Sequence, residues 1–164
     1  MSDSVRLTGG CQCGAIRYAL LKQPERPSIC HCRMCQKSSG NLFATWAGVE
    51  PQYFEFTRGA WSKFASSAEG LRTFCPNCGT PLGWENPARD WICVTIGSLD
   101  HPQLVPVSRY YGEEGRIGWT AEAAGTHGIV SGAGGNWPLD RIKATNHQHP
   151  DHDTDHWIPH PSTV

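Results

Sequence analysis

Seven cysteines stand in three tight groups, Cys11-Gln12-Cys13, Cys30-His31-Cys32-Arg33-Met34-Cys35 and Cys75-Pro76-Asn77-Cys78, while the eighth, Cys93, stands alone. Sulfurs one or two residues apart suit a shared metal ion. With Zn–S near 2.3 Å and tetrahedral angles, neighbouring sulfurs sit about 3.8 Å apart, and a tight turn brings CxxC sulfurs that close unaided. Gly14 and Gly79, directly after two of the groups, give such knuckles a permissive backbone. Disulfides are the competing use, but bridges usually join distant cysteines. The opening Met1-Ser2-Asp3-Ser4-Val5-Arg6 lacks the apolar run of a secretory signal, so a reducing, cytoplasmic setting is expected.

Cys93 is expected to be a small core residue, because Trp91-Ile92-Cys93-Val94-Thr95-Ile96 alternates like a strand and brings no second ligand. The other seven then divide as four and three. Joining Cys11 and Cys13 to Cys75 and Cys78 closes a tetrahedral structural site that staples the N-terminal strand to the middle of the domain. Cys30, Cys32 and Cys35 form a local trio that leaves a fourth position open, the arrangement of a catalytic zinc. Other pairings are geometrically possible from spacing alone.

Three segments carry a resemblance: Gly10-Cys11-Gln12-Cys13-Gly14-Ala15-Ile16-Arg17-Tyr18, Cys30-His31-Cys32-Arg33-Met34-Cys35-Gln36-Lys37-Ser38-Ser39-Gly40, and Phe74-Cys75-Pro76-Asn77-Cys78-Gly79-Thr80-Pro81-Leu82. Together with Ile96-Gly97-Ser98-Leu99-Asp100 they resemble the glutathione-dependent formaldehyde-activating enzyme family, which includes centromere protein V. The resemblance spans roughly Val5 to Trp119. It implies a mainly β fold of folded antiparallel sheets stapled by zinc knuckles. It also implies two zincs per chain, a structural one on Cys11, Cys13, Cys75 and Cys78 and a catalytic one on Cys30, Cys32 and Cys35. The implied activity is a carbon–sulfur lyase reaction joining formaldehyde to glutathione, as in S-hydroxymethylglutathione synthesis.

Three thiolates on a divalent ion leave a net negative site, so cations must offset it before another thiolate lands there. Lys37 is the first choice for that duty or for a substrate carboxylate, and Arg33 a weaker one. His31, between two ligands, either orients a thiolate through a hydrogen bond or packs over the knuckle. Trp46 and Trp119 are candidates for a pocket wall, although aromatic residues in strand patterns are more often core.

These groups need elements to position them. With 164 residues, charged residues at 18%, 18 Gly and 12 Pro, the chain reads as one compact domain of short strands and tight turns. Ala15–Leu20 alternates, placing Ile16, Tyr18 and Leu20 on one face, and Pro24 and Pro27 are expected to end that strand. Leu42–Ala47, Tyr53–Thr57, Trp61–Phe64, Leu71–Phe74 and Trp91–Ile96 follow as further strands, with a helical turn at Gln36–Gly40. The domain is expected over residues 5–119. Residues 120–164 then form a Gly-rich segment (Gly125, Gly128, Gly132, Gly134, Gly135) and a tail with His147, His149, His152, His156 and His160. That tail reads as a solvated, mobile end, with metal collection as the sharper alternative.

Net charge of -1 marks no nucleic-acid face, no stretch reaches the roughly 18 apolar residues of a membrane span, and no GxGxxG or Walker loop is present. The expected partners are a glutathione-like thiol and a small aldehyde. Two other classes compete. A non-catalytic zinc-binding interaction module would place a fourth protein ligand, such as a tail histidine, on the trio. A zinc-stapled methionine sulfoxide reductase would need a reactive cysteine in a loop, which Cys93 fits poorly.

Overall fold

The computed structural model describes residues 5–86, 88–123, 125–126 and 139–159. Among the described residues, ten strands build two sheets. The smaller orders β1 (Leu7–Gly10), β2 (Arg17–Leu20) and β5 (Phe54–Arg58), all antiparallel. The larger runs β10 (Arg109–Tyr111), β3 (Glu25–Cys30), β4 (Ala44–Val49), β9 (Ile92–Thr95), β8 (Pro81–Glu85), β7 (Gly70–Phe74) and β6 (Ser62–Ser67). The expected mainly β architecture is what forms. The sheets are antiparallel apart from one pair, β10 beside β3, which run parallel.

The core lies between the sheets, with Ile16, Tyr18, Leu20, Val49, Leu82 and Val94 as its centre. In β2 the alternation is real but both faces are covered: Arg17 and Ala19 are as buried as Tyr18 and Leu20. Tyr18 and Leu20 pack into the core, and Arg17 on the opposite face lies against Asp100 and Asp153. A buried arginine then needs a partner, and Asp100 provides it through a bidentate pair with Nη1 and Nη2 at 2.8 and 2.5 Å. Burial works against the Asp100 carboxylate, yet Arg17 and the Thr8 hydroxyl outweigh it and hold its pKa below the ordinary range. The pair therefore contributes fully at neutral pH and fades only as pH falls beneath about 4. Asp100→Asn is expected to lower stability by about 3 kcal/mol at pH 7, because Arg17 loses its buried counter-charge. Urea unfolding of the two proteins at that pH checks it.

Pro24 lies in the break between β2 and β3 as expected, but Pro27 falls inside the next strand. β3 passes straight through Pro27, with a register shift against β4 between Glu25 and Ser28. A strand tolerates proline at such an irregularity, where no ladder N–H is required. The Pro27 carbonyl still accepts a 2.8 Å bond from the Ser108 N–H.

The tail is also corrected. His149 N–H donates to the Gln12 carbonyl at 2.7 Å, Asp153 joins the Arg17 guanidinium at 2.9 Å, and Trp157 Nε1–H donates to the Cys13 carbonyl at 2.7 Å. Arg58 bridges His149 and Thr154. Residues 149–157 thus lie as a strap across the first cysteine knuckle. Gly14 makes room for it, since an added Cβ would lie 2.1 Å from the His149 ring. His160, Gly128, Gly132, Gly134 and Gly135 lie outside the described residues. No helix of the described residues is long and apolar enough to cross a membrane.

Candidate functional site

All eight cysteines are free, and seven gather into two clusters. In the first, Cys11, Cys13, Cys75 and Cys78 bring their sulfurs within 4.8 Å of one another. Cys11 to Cys13 measures 3.6 Å and Cys13 to Cys75 4.0 Å, bracketing the separation expected around tetrahedral zinc. The two knuckles are built alike. Gly14 N–H returns to the Cys11 carbonyl and Gly79 N–H to that of Cys75, each glycine at φ near +75°. Cys11 and Cys75 are then tied by their own N–H groups to Ile16 and Thr80. Burial opposes ionisation at Cys78, but the Thr80 hydroxyl and backbone prevail and bring its pKa to about 6. At Cys11 burial dominates and pushes the thiol up. A soft dication is the group that such a half-buried four-thiol cage accommodates.

In the second cluster, Cys30, Cys32 and Cys35 lie within the same limit, and no fourth His, Cys, Asp or Glu joins them among the described residues. Cys30 ends β3, Cys32 caps the helix α1 (Arg33–Ser39), and Cys35 sits in its first turn. The helix starts three residues earlier than Gln36 because the Cys32 carbonyl accepts the Gln36 N–H at 3.1 Å. It stops at Gly40, whose φ of 61° forms the left-handed cap. Burial raises Cys30 to about 12. At Cys32 burial is outweighed by the nearby Cys35 N–H, the neighbouring thiols and Arg72, and the net shift is downward. Three converging thiols with unequal proton affinity fit a metal that takes thiolates, so this donor set too suits zinc.

The trio forms one wall of a cavity of about 860 Å³. Trp46, Trp84, Trp91 and Arg72 supply much of the remainder. Trp91 lies over Gly48 and Trp84 over Gly70, where an added Cβ would meet each indole nitrogen at 2.2 and 2.6 Å. Arg72 Nη2 points to Cys35 Sγ at 3.5 Å while its guanidinium covers the Trp46 ring at 5.5 Å.

Several expectations meet their placement here. Lys37 is exposed and lines an adjoining depression alongside Phe64 and Pro81, which shares Met34, Trp46 and Arg72 with the trio's cavity but none of its cysteines. Arg33 is turned to the Gln36 amide at 3.3 Å. His31 packs: its buried ring lies edge-on to Phe43 and parallel to Tyr110. Trp46 does wall the cavity, whereas Trp119 is exposed and does not. Cys93 is on a strand as read, but it faces this cavity, its thiol held up to about 11 by burial, and Val94 is the core residue beside it. Arg72 was missed. Its only signal is a cation alternating on the strand that runs into Cys75, and nothing in that pattern names Cys35.

The trio is also covered from behind. Tyr111 pairs with Cys30, the His31 N–H donates to the Tyr111 carbonyl at 2.8 Å, and Gly112 follows at φ 64°. A Cβ on Gly112 would lie 2.6 Å from the Cys32 nitrogen. Gly112→Ala is therefore expected to shift Cys32 and weaken metal retention at the trio about tenfold, with the four-sulfur site unchanged. Chelator competition, read as one fast-leaving and one slow-leaving metal, checks this.

A family model described as glutathione-dependent formaldehyde-activating enzyme matches residues 6–114, which include both cysteine clusters and end before the strap. An uncharacterized lyase of Schizosaccharomyces pombe is 31% identical over 74 residues, 45% of this chain and 53% of that protein. The chain thus matches about half the length of this curated relative. A crystal structure of a Rhodobacter sphaeroides protein aligns with a TM-score of 0.49 at 19% identity, covering 63% of this chain and 98% of that one.

Proposed function

Because the chain belongs to the glutathione-dependent formaldehyde-activating enzyme family, we propose that it is a zinc-dependent carbon–sulfur lyase. It makes or breaks the adduct between a thiol such as glutathione and a small aldehyde such as formaldehyde, within the cytoplasm. The observation that carries this reading is the trio of sulfurs on a cavity wall without a fourth protein ligand among the described residues.

Cys30, Cys32 and Cys35 would hold the catalytic zinc, and Cys11, Cys13, Cys75 and Cys78 the structural one. Zinc bound at the trio supplies a Lewis acid that lowers the pKa of an incoming thiol toward neutrality. The chain's own residues do the rest. Trp46, Trp84 and Trp91 exclude water and bury the apolar part of the thiol carrier. Arg26 and Arg89, on the same cavity, match the carboxylates of a peptide-like thiol, and Glu25, Glu69 and Asp90 match its ammonium. Addition conserves oxidation state, so the reaction runs on thiol and aldehyde alone.

The test is metal content together with NMR exchange spectroscopy on glutathione and ¹³C-labelled formaldehyde. Two zincs per chain and exchange above the uncatalysed rate support the reading, and a rate no faster than buffer refutes it. An interaction module would need the trio closed by a protein ligand. His149, a tail histidine that docks, lies against Gly14 at the other cluster.

A further inference from the structure

We propose that Arg72 is a catalytic residue that receives the carbonyl oxygen of the aldehyde and holds the oxyanion formed as the carbon–sulfur bond is made. This rests on the lyase reading above. Three observations carry it. Arg72 is the cation in hydrogen-bond contact with the trio among the described residues, through Nη2 to Cys35 Sγ at 3.5 Å. Its side chain lines the same cavity as Cys30, Cys32 and Cys35. Its Nε is buried with no hydrogen-bond partner among the described residues.

A guanidinium offers five N–H donors in one rigid plane and stays protonated at any working pH. The Cys35 contact uses a single edge of it. Arg72 as a whole is only half buried and lines the cavity, so its Nη donors are the ones placed to meet a ligand that arrives and leaves. Trp46 fixes the plane from one side through the cation–π contact. The positive charge is thus pre-oriented next to the sulfurs, and no reorganisation is needed when negative charge develops on oxygen.

The chemistry balances without any redox partner. The thiol gives its proton to solvent, and the thiolate electron pair forms the C–S bond at the carbonyl carbon. The C=O π pair moves onto oxygen, where Arg72 N–H groups receive it, and water then protonates that oxygen to give the hemithioacetal. Cleavage is the reverse sequence. Arg72 neither gains nor loses a proton.

Arg72→Gln tests this in the metal-loaded full chain. Catalysed exchange is expected to fall about a hundredfold, carried by kcat, with KM for the thiol changed less than about threefold. A second readout needs no turnover. Thioacetate, which carries an oxygen on the carbon next to sulfur, and ethanethiol are titrated into both proteins by tryptophan fluorescence. Wild type is expected to prefer thioacetate by a ratio about tenfold larger than Arg72→Gln does. Equal ratios in the two proteins would overturn the assignment even if exchange is catalysed. An intact ratio difference without any exchange would sink the lyase reading and leave the oxyanion site. Should Arg72→Gln lose metal, Arg72→Lys decides: retained metal with the ratio still collapsed supports the role, and metal loss there too overturns it, since Arg72 would then only balance the sulfur charge.

Discussion

Cys32→Ser is expected to cut catalysed thiol–aldehyde exchange by more than about a hundredfold and to lower metal content from two per chain to one. Changes one shell removed from a metal already cost about 10–100-fold, and Cys32 is a direct donor in the proposed trio. Serine is a poor replacement there because its hydroxyl stays protonated at neutral pH and presents a hard oxygen where a soft ion prefers sulfur. The same change suits the backbone. Cys32 caps α1 without a side-chain capping bond, and serine is a better capping residue than cysteine. The helix and the fold are therefore expected to survive, with the unfolding midpoint lowered only by the stabilisation that the lost metal supplied. Metal analysis, circular dichroism and exchange rate, measured on one preparation, separate the two effects. Wild-type exchange in the variant would remove the trio from catalysis.

Cys75→Ser is expected to do the opposite and remove the folded state itself. Structural zinc in small thiolate sites contributes about 10–16 kcal/mol of apparent folding free energy. A whole domain of this size retains only about 5–15 kcal/mol. Cys75 is fully buried, and its knuckle joins the end of β7 to β8 while Cys11 and Cys13 lie between β1 and β2. Losing it unties the smaller sheet from the larger one at the point where the strap also crosses. The variant is expected to be insoluble or to lack a cooperative urea transition, and strong chelation of the wild type should produce the same loss. A soluble Cys75→Ser protein with the wild-type midpoint would show that packing alone holds the sheets together. The contrast with Cys32→Ser separates the two clusters by role.

Different parts of this design were open to inspection in different degrees. The cysteine groups were readable because each is a local event: in two of them a pair of sulfurs, one tight turn and a glycine at positive φ within five residues, and in the third three sulfurs within six residues. Most strands were readable from alternation, as in Ile92–Thr95 and Gly70–Phe74. β10 escaped because three exposed residues carry no pattern of their own and owe their strand form to pairing with β3. The passage of β3 through Pro27 escaped because it depends on a register shift against β4.

By itself the amino-acid order determined that seven sulfurs stand in close groups able to hold a metal, and that short strands surround them. Near neighbours along the chain have little freedom in how they meet, and that is why this much is written locally. Only the tertiary structure decided what faces the three-sulfur group. It brings Arg72 to Cys35 across 37 positions, closes the indoles of Trp84 and Trp91 over glycines, and lays Trp157 on Cys13 from 144 positions away. A side chain's type records that it can donate or stack, but its partner is chosen by how the sheets fold together. The chemistry of the site therefore begins in local sequence, and its selectivity is settled by long-range packing.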